Sequence, residues 1–170
     1  MVKGEMKTIM VGIAECRVSN DPACELVTYS LGSCVAVTVY DPAVHVGGLL
    51  HFQLPESALD RAKARQNPFL FADTGVSTLL RQACRLGGDQ RRFIVRVAGG
   101  AQLLEHGEHF GIGRKNCAAM KKALHKAGLC LHGEALGGTA SRTVRLNLAT
   151  GEFQLRAFRL SAPTTPRRKT

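Results

Sequence analysis

A β-branched run between turn signals constrains the fold of this chain more than any other feature. Residues 35–40 combine valine, threonine and tyrosine, which are typical of strands. Asp41-Pro42 follows as a turn signal. A pair of glycines then opens a second apolar run over residues 49–54. Two short extended runs separated by a turn predict neighbouring antiparallel strands.

Two longer segments show helical periodicity. Apolar residues recur at three and four positions over residues 73–86, where Asp73 or Thr74 is expected to cap the helix. A second amphipathic helix is predicted over residues 114–127. Further strands are predicted over residues 9–18, 93–98, 129–135, 143–148 and 153–158. Since strands outnumber helices, we expect an α+β fold with a mixed-sheet or sandwich core flanked by two main helices.

Length and composition predict one cytoplasmic domain. The 170 residues suffice for one sizeable core, which we expect to span residues 1–160. Residues 161–170 are rich in proline, threonine and arginine, which predicts a disordered basic tail. The sequence has no apolar run of about eighteen residues and no secretory signal, so we expect no membrane insertion and no export. Its six cysteines are irregularly spaced, which favours reduced thiols in the cytoplasm.

Cys34 and His51 lie on the predicted strand pair and are the strongest candidates for chemistry. A cysteine attacks a carbonyl as the thiolate, and a neighbouring imidazole removes the thiol proton and later protonates the leaving group. Gly32 and Ser33 precede the cysteine. A glycine in that turn can adopt backbone conformations closed to other residues and so aim N–H groups at a developing oxyanion. We expect the Cys34 N–H to be one such donor.

The partner of His51 is a choice between a carboxylate and a hydroxyl, since a histidine base needs a group that fixes its tautomer. Asp41 is the nearest acid, but its position in the turn predicts exposure to solvent. Thr28 is the other candidate, since its hydroxyl can orient the ring, although it stabilises an imidazolium less than a carboxylate would. The residues alone leave a structural interpretation open, because buried cysteines and histidines on apolar strands are usually inert.

Other residue clusters give no comparable signal. The spacing of Cys117, His125, Cys130 and His132 matches no usual zinc pattern, so no metal site is expected. The glycine pairs are not followed by the Gly-Lys-Ser/Thr of a phosphate loop. The cysteine chemistry itself requires no cofactor.

A series of distinctive segments extends from about residue 11 to about residue 158. They are Thr28-x-x-Leu31-Gly32-Ser33-Cys34, His51-x-x-Leu54-Pro55, Ala72-Asp73 with Leu79-Leu80, Gly99-Gly100-Ala101, Ile112-Gly113-x-x-Asn116, and Gly137-Gly138 with Arg142. In this order they resemble the signature of the CheD family of chemoreceptor glutamine deamidases. Several motifs in one order are more specific than any single motif.

The resemblance implies a hydrolase that converts glutamine side chains on chemoreceptors to glutamate and releases ammonia. The family's catalytic cysteine, histidine and threonine correspond to Cys34, His51 and Thr28. Its fold resembles the catalytic domain of cytotoxic necrotizing factor toxins. The implied partners are the cytoplasmic helices of chemoreceptors, as substrate, and a CheC-type phosphatase. A regulatory adaptor of such a phosphatase with little turnover is the alternative, and the oligomeric state is left open.

Two positions leave questions within this resemblance. Ser141 stands where the family has a glycine before the arginine that corresponds to Arg142, which puts the geometry of that turn in question. Asn116 matches a family motif and either holds a loop by side-chain hydrogen bonds or contacts a partner.

The net charge of +10 favours an acidic partner. Basic residues outnumber acidic ones between positions 61 and 96. Nucleic acid and glutamate-rich receptor helices both fit this charge, and the catalytic residues favour the receptor over nucleic acid. Reversing the charges of Arg91 and Arg92 is then expected to slow receptor modification more at low salt than at high salt.

Overall fold

The computed structural model describes residues 5–103 and 111–159. In chain order its strands are β1 (Lys7–Met10), β2 (Glu15–Ser19), β3 (Cys24–Leu31), β4 (Val35–Asp41), β5 (Val46–Phe52), β6 (Ile94–Gly99), β7 (Gly133–Leu136), β8 (Ala140–Asn147) and β9 (Phe153–Arg159). The α-helices are α1 (Arg61–Gln66), α2 (Ala72–Arg85) and α3 (Ile112–Lys126). Short 3₁₀ turns lie at Ser57–Leu59, Pro68–Leu70 and Gln90–Arg92.

The strands form two sheets, and the predicted α+β class is confirmed. The order is β1-β3-β8-β9 in the four-stranded sheet and β2-β5-β4-β6-β7 in the five-stranded sheet. Strands β4 and β5 pair antiparallel, as predicted, with Ala36 opposite His51. Helices α2 and α3 share a hydrophobic core with one face of the five-stranded sheet. The two helices are therefore the main flanking elements of the β core.

Strand β4 is buried on both faces, which explains its continuous apolar sequence. Val35, Val37 and Val39 pack in the core that contains the helices. Ala36 and Tyr40 pack in a second core with residues of the four-stranded sheet. Because successive side chains point to opposite faces, residues that share a face with Ala36 lie between the two sheets. This interior layer holds the candidate site.

The single strand predicted over residues 9–18 is wrong, because the chain forms β1 and β2 in different sheets. Ala14 lies in the intervening turn with a left-handed φ of 55°. Its N–H donates to the His51 carbonyl at 2.8 Å. A left-handed residue interrupts an extended strand, and the sequence carries no glycine or proline at Ala14 to announce it.

The predicted caps of α2 are also wrong, since Phe71 occupies the N-cap position without a side-chain bond. The Asp73 carboxylate accepts from the Ser57 N–H at 3.0 Å and from its hydroxyl at 2.6 Å. The Thr74 hydroxyl donates to the Pro68 carbonyl at 2.6 Å. Both residues thus attach α2 to the preceding segment.

Some expectations fall at the edge of the described residues. The tail at residues 161–170 lies outside them, and a single domain over residues 1–160 stays a prediction. Across residues 5–103 and 111–159, no helix is both long enough and apolar enough to cross a membrane.

Candidate active site

Thr28 and His51 join the two sheets across the interior. Thr28 lies on β3 and His51 on β5, and both side chains are buried. The Thr28 hydroxyl and His51 Nδ1 are 2.8 Å apart. The same hydroxyl donates to the Val11 carbonyl at 2.7 Å. The structure thus brings together two of the three residues predicted to act.

The hydrogen bonds around Thr28 fix the tautomer of His51. A hydroxyl has one proton, and that of Thr28 is given to the Val11 carbonyl. The Thr28 oxygen can therefore only accept from His51, so Nδ1 carries the ring proton and Nε2 carries a lone pair. Among the described residues, His51 Nε2 has no hydrogen-bond partner. The nitrogen available for proton transfer is the unprotonated one.

Burial keeps the His51 ring neutral. It lowers the pKa of His51 from an ordinary 6.5 to about 4, because the charged form loses its hydration inside the protein. At neutral pH the imidazole is thus a free base.

Cys34 lies at the mouth of the site, diagonal to His51. Ala36 is opposite His51 in the β4–β5 ladder, and Cys34 precedes Ala36 by two positions on the same face. The Cys34 side chain is half-buried beside the inter-sheet core. Because Nε2 has no partner among the described residues, no hydrogen bond joins it to the thiol. Catalytic hydrogen bonds are often long in unliganded sites and tighten when substrate binds.

The Cys34 thiol is protonated in this state. Burial raises its pKa above the ordinary value, and the residue's own backbone N–H offsets part of that rise. A neutral thiol therefore lies near a neutral imidazole. This pair requires proton transfer from sulfur to nitrogen before or during attack.

Three consecutive carbonyls of the turn before β4 are held from outside it. The Gly32 carbonyl accepts from the Ala101 N–H at 2.8 Å. The Cys34 carbonyl accepts from the Gly100 N–H at 2.8 Å. The Ser33 carbonyl accepts from Asn116 Nδ2 at 2.9 Å. Each bond comes from a distant part of the sequence, so the turn is positioned by tertiary contacts.

Glycine is required beside this turn at Gly99, and not at the predicted position. Gly32 is not among the residues with a left-handed φ, so the expectation of a special backbone conformation there is wrong. A Cβ at Gly32 would lie 2.7 Å from Leu103 Cδ1, the end of a flexible and exposed side chain that can move aside. Gly99 does have a left-handed φ, 117°, and a Cβ there would collide with the Cys34 carbonyl.

Asp41 is buried, so its predicted exposure is wrong. Its carboxylate accepts from the Arg92 guanidinium at 2.7 Å and from the Asp89 N–H at 2.8 Å. The hydrogen bonds from Arg92 lower the pKa of Asp41, against the effect of burial. Asp41 lies at the other end of β4 from Cys34 and has no bond to His51. Arg92 is therefore a structural cation and is unsuited to the charge-reversal test.

Ser141 lies in regular strand, after the neighbouring turn. It pairs with Phe158 inside β8. The turn is made earlier by Gly137 and Gly138, whose φ values are 74° and 70°. Arg142 then holds this turn, since its Nη2 donates to the Gly137 carbonyl at 2.8 Å.

Two of the four residues weighed as a metal site make structural contacts. Cys117 lies on α3 and packs against the core, and His132 Nδ1 accepts from the Val95 N–H at 3.1 Å. Within the described ranges, no group of three or more histidine, cysteine, aspartate or glutamate residues is arranged to hold a metal ion.

Comparison with known proteins identifies the family. The family described as CheD chemotactic sensory transduction matches residues 53–157. A relative from Solibacter usitatus is 48% identical over 150 residues, which cover 88% of this chain and 89% of that protein. A relative from Syntrophus aciditrophicus is 46% identical, over 86% of this chain and 92% of its own length. Both are named probable chemoreceptor glutamine deamidases of the CheD type.

A more distant relative from Pyrococcus horikoshii carries the same name and is 40% identical, over 89% of this chain and 93% of its own length. The chain belongs to the CheD family. The match to the family as a whole begins at residue 53, after His51. The roles of Thr28, Cys34 and His51 therefore depend on the geometry and on the motifs.

Proposed function

We propose that this protein deamidates glutamine side chains of chemoreceptors, with Cys34 as nucleophile, His51 as base and Thr28 as the group that orients the base. The observation that carries the proposal is the chain of hydrogen bonds from His51 Nδ1 through Thr28 to the Val11 carbonyl. It leaves the basic nitrogen unpaired on the face that carries Cys34. The names of the relatives supply the substrate class.

The first half of the reaction forms a thioester. His51 Nε2 takes the Cys34 proton as the sulfur attacks the glutamine side-chain carbonyl. The resulting oxyanion is stabilised by backbone N–H donors of the turn, among them that of Cys34. His51 then gives its proton to the departing amide nitrogen, the carbon–nitrogen bond breaks, and ammonia leaves.

The second half hydrolyses the thioester. His51, neutral again, takes a proton from water as the water oxygen attacks the thioester carbonyl. The carbon–sulfur bond breaks, and the proton returns to the Cys34 sulfur. The receptor leaves with glutamate in place of glutamine, so its net negative charge rises. We propose that the reaction occurs in the cytoplasm, because the family resemblance implies that the substrate glutamines lie on the cytoplasmic helices of the receptors. A CheC-type phosphatase is a further proposed partner.

The test is to mix the protein with a chemoreceptor cytoplasmic fragment and to measure ammonia release and the intact mass of the fragment. We expect ammonia together with the mass change from amide to acid, and peptide mapping should locate glutamate at particular glutamines. Cys34→Ala should abolish both signals. Cys84→Ala, which removes an exposed thiol, is the matched control and should retain them.

An unchanged mass with several receptor fragments would contradict the deamidase and favour the regulatory adaptor. Binding to a CheC-type phosphatase would then be measured with the same variants.

A further inference from the structure

Asn116 is a fully buried polar residue whose side-chain hydrogen bonds reach the turn before β4 and the residue after β5. It lies within helix α3, where asparagine is an unfavourable residue. Its Nδ2 donates to the Ser33 carbonyl at 2.9 Å and to the Gln53 carbonyl at 2.8 Å. Buried polar groups are normally paired, and here both amide protons are used, whereas Asn116 Oδ1 has no hydrogen-bond partner among the described residues.

The two acceptors of Asn116 continue the β4–β5 ladder beyond its last pair. That ladder ends at Val35 opposite Phe52. Ser33 and Gln53 lie just beyond this pair, next to Cys34 before β4 and directly after β5, the strand that carries His51. The Asn116 amide therefore joins the Ser33 and Gln53 backbones just past the last backbone pair of the ladder.

The bond to Ser33 also sets the direction of the Cys34 N–H. The Ser33 carbonyl and the Cys34 N–H belong to one planar trans peptide, in which the two groups point in opposite directions. Holding the carbonyl toward Asn116 thus turns the N–H away from α3. The peptide groups on either side are held through the Gly32 and Cys34 carbonyls, which accept from the Ala101 and Gly100 N–H groups. Asn116 therefore sets the orientation of the peptide between them, Ser33–Cys34.

We propose that Asn116 is a positioning residue that aims the Cys34 N–H at the oxyanion formed during deamidation. This inference rests on the proposed function and extends it to a residue whose hydrogen bonds go to the backbone carbonyls of Ser33 and Gln53. The role requires two N–H donors on a short planar side chain, which aspartate, leucine and alanine do not provide. It also answers the question left by the sequence, since Asn116 holds the loop from inside.

The test compares Asn116→Ala with Thr38→Val on the receptor fragment. Thr38 is a matched control, because it is buried on β4 and its hydroxyl donates to the Arg96 carbonyl at 2.9 Å, away from the turn. Loss of oxyanion alignment should lower the kcat of Asn116→Ala about 100-fold, with little change in KM. Thr38→Val should keep a kcat near that of wild type.

Alkylation of Cys34 by iodoacetamide, followed by peptide mapping, separates alignment from general damage. This reaction needs the thiolate and forms no oxyanion, so its rate in Asn116→Ala should stay close to that of wild type. A parallel fall in both rates would mean that the thiol itself is disturbed and would overturn the proposal. A kcat equal to that of wild type would overturn it as well.

Asn116→Asp is the second variant, for the case in which the alanine variant does not fold. It keeps the size of the side chain, and only its protonated form offers a single O–H donor. Its kcat relative to wild type should therefore fall as the pH rises through the pKa of the introduced carboxyl, and a flat ratio would contradict the proposal. A wild-type protein without deamidase activity would overturn the proposed function and this inference together, whereas an active wild type beside an equally active Asn116→Ala would overturn this inference alone.

Discussion

The two ends of strand β4 hold ionisable groups whose pKa values are shifted in opposite directions. At one end Cys34 is half-buried, its pKa is raised, and its turn is held by hydrogen bonds from neutral groups. At the other end Asp41 is completely buried, its pKa is lowered, and its charge is balanced by Arg92. We call these the thiol end and the carboxylate end.

The difference teaches where this fold places charge. A buried carboxylate beside His51 would favour the imidazolium, yet the strand's own carboxylate is paired with Arg92 far from the ring. The ring meets the Thr28 hydroxyl instead. The reacting groups therefore rest neutral, and charge develops during the reaction. Changes to the reacting groups should lower activity, whereas changes at the carboxylate end should lower stability and leave activity unchanged.

The largest expected effect is at the thiol end. Cys34→Ala removes the nucleophile and should lower kcat by at least about 10⁴-fold. The melting temperature should stay close to that of wild type, since the side chain is small and half-buried. Measured kcat and thermal unfolding check both halves of this expectation, and a large loss of stability would break the contrast between the two ends.

The neutral state of His51 should appear in the pH dependence of stability. Its pKa is about 4 in the folded protein, against about 6.5 when unfolded, so the unfolded state binds more protons between these values. The neutral His51 ring makes its full contribution to the free energy of unfolding above about pH 6.5. As the pH falls toward 4, the free energy of unfolding should decrease by about 3 kcal/mol.

Denaturant unfolding at a series of pH values gives the free energy of unfolding of wild type and of His51→Gln as a function of pH, and the difference between the two pH dependences measures this contribution. The same pH dependence in both proteins would show that the ring is not held neutral by burial.

Thr28→Val should lower kcat about 100-fold, because the ring loses the acceptor that keeps its proton on Nδ1. The buried Thr38→Val variant on β4 loses a hydrogen bond of similar length and should keep its activity. Steady-state kinetics on the receptor fragment separate the two. Comparable activity in both variants would mean that Thr28 does not set the tautomer.

The smallest effects are expected at the carboxylate end. Arg92→Gln leaves the buried Asp41 carboxylate without its cation and should cost about 2 kcal/mol of unfolding free energy, less than for a fully buried pair because Arg92 is partly exposed. Arg91→Gln breaks an exposed pair with Asp89 and should lower the free energy of unfolding less than Arg92→Gln does. Both variants should keep the kcat of wild type, and a reduced kcat in Arg92→Gln would break the separation of the two ends.

Local sequence signals predicted the parts of this molecule that depend on neighbouring residues. The strand pair of β4 and β5 and the helices α2 and α3 followed from composition and periodicity, and the candidate role of Thr28 followed from the family motifs. The burial of Asp41 did not, because its partner Arg92 lies 51 positions away. Asn116 reaches Ser33 across 83 positions, and the motif that contains it showed no partner. Such long-range pairs are set by the packing of helices and sheets, which no local pattern records.

The central claim, a thioester on Cys34, is tested most directly by running the reaction in hydroxylamine. A γ-glutamyl thioester is captured by hydroxylamine as the hydroxamate, with release of the Cys34 thiol. Peptide mapping of the receptor fragment should then show hydroxamate and glutamate at the same glutamine with wild type, and neither product with Cys34→Ala. Glutamate without hydroxamate from the wild type, or either product from Cys34→Ala, would contradict the account.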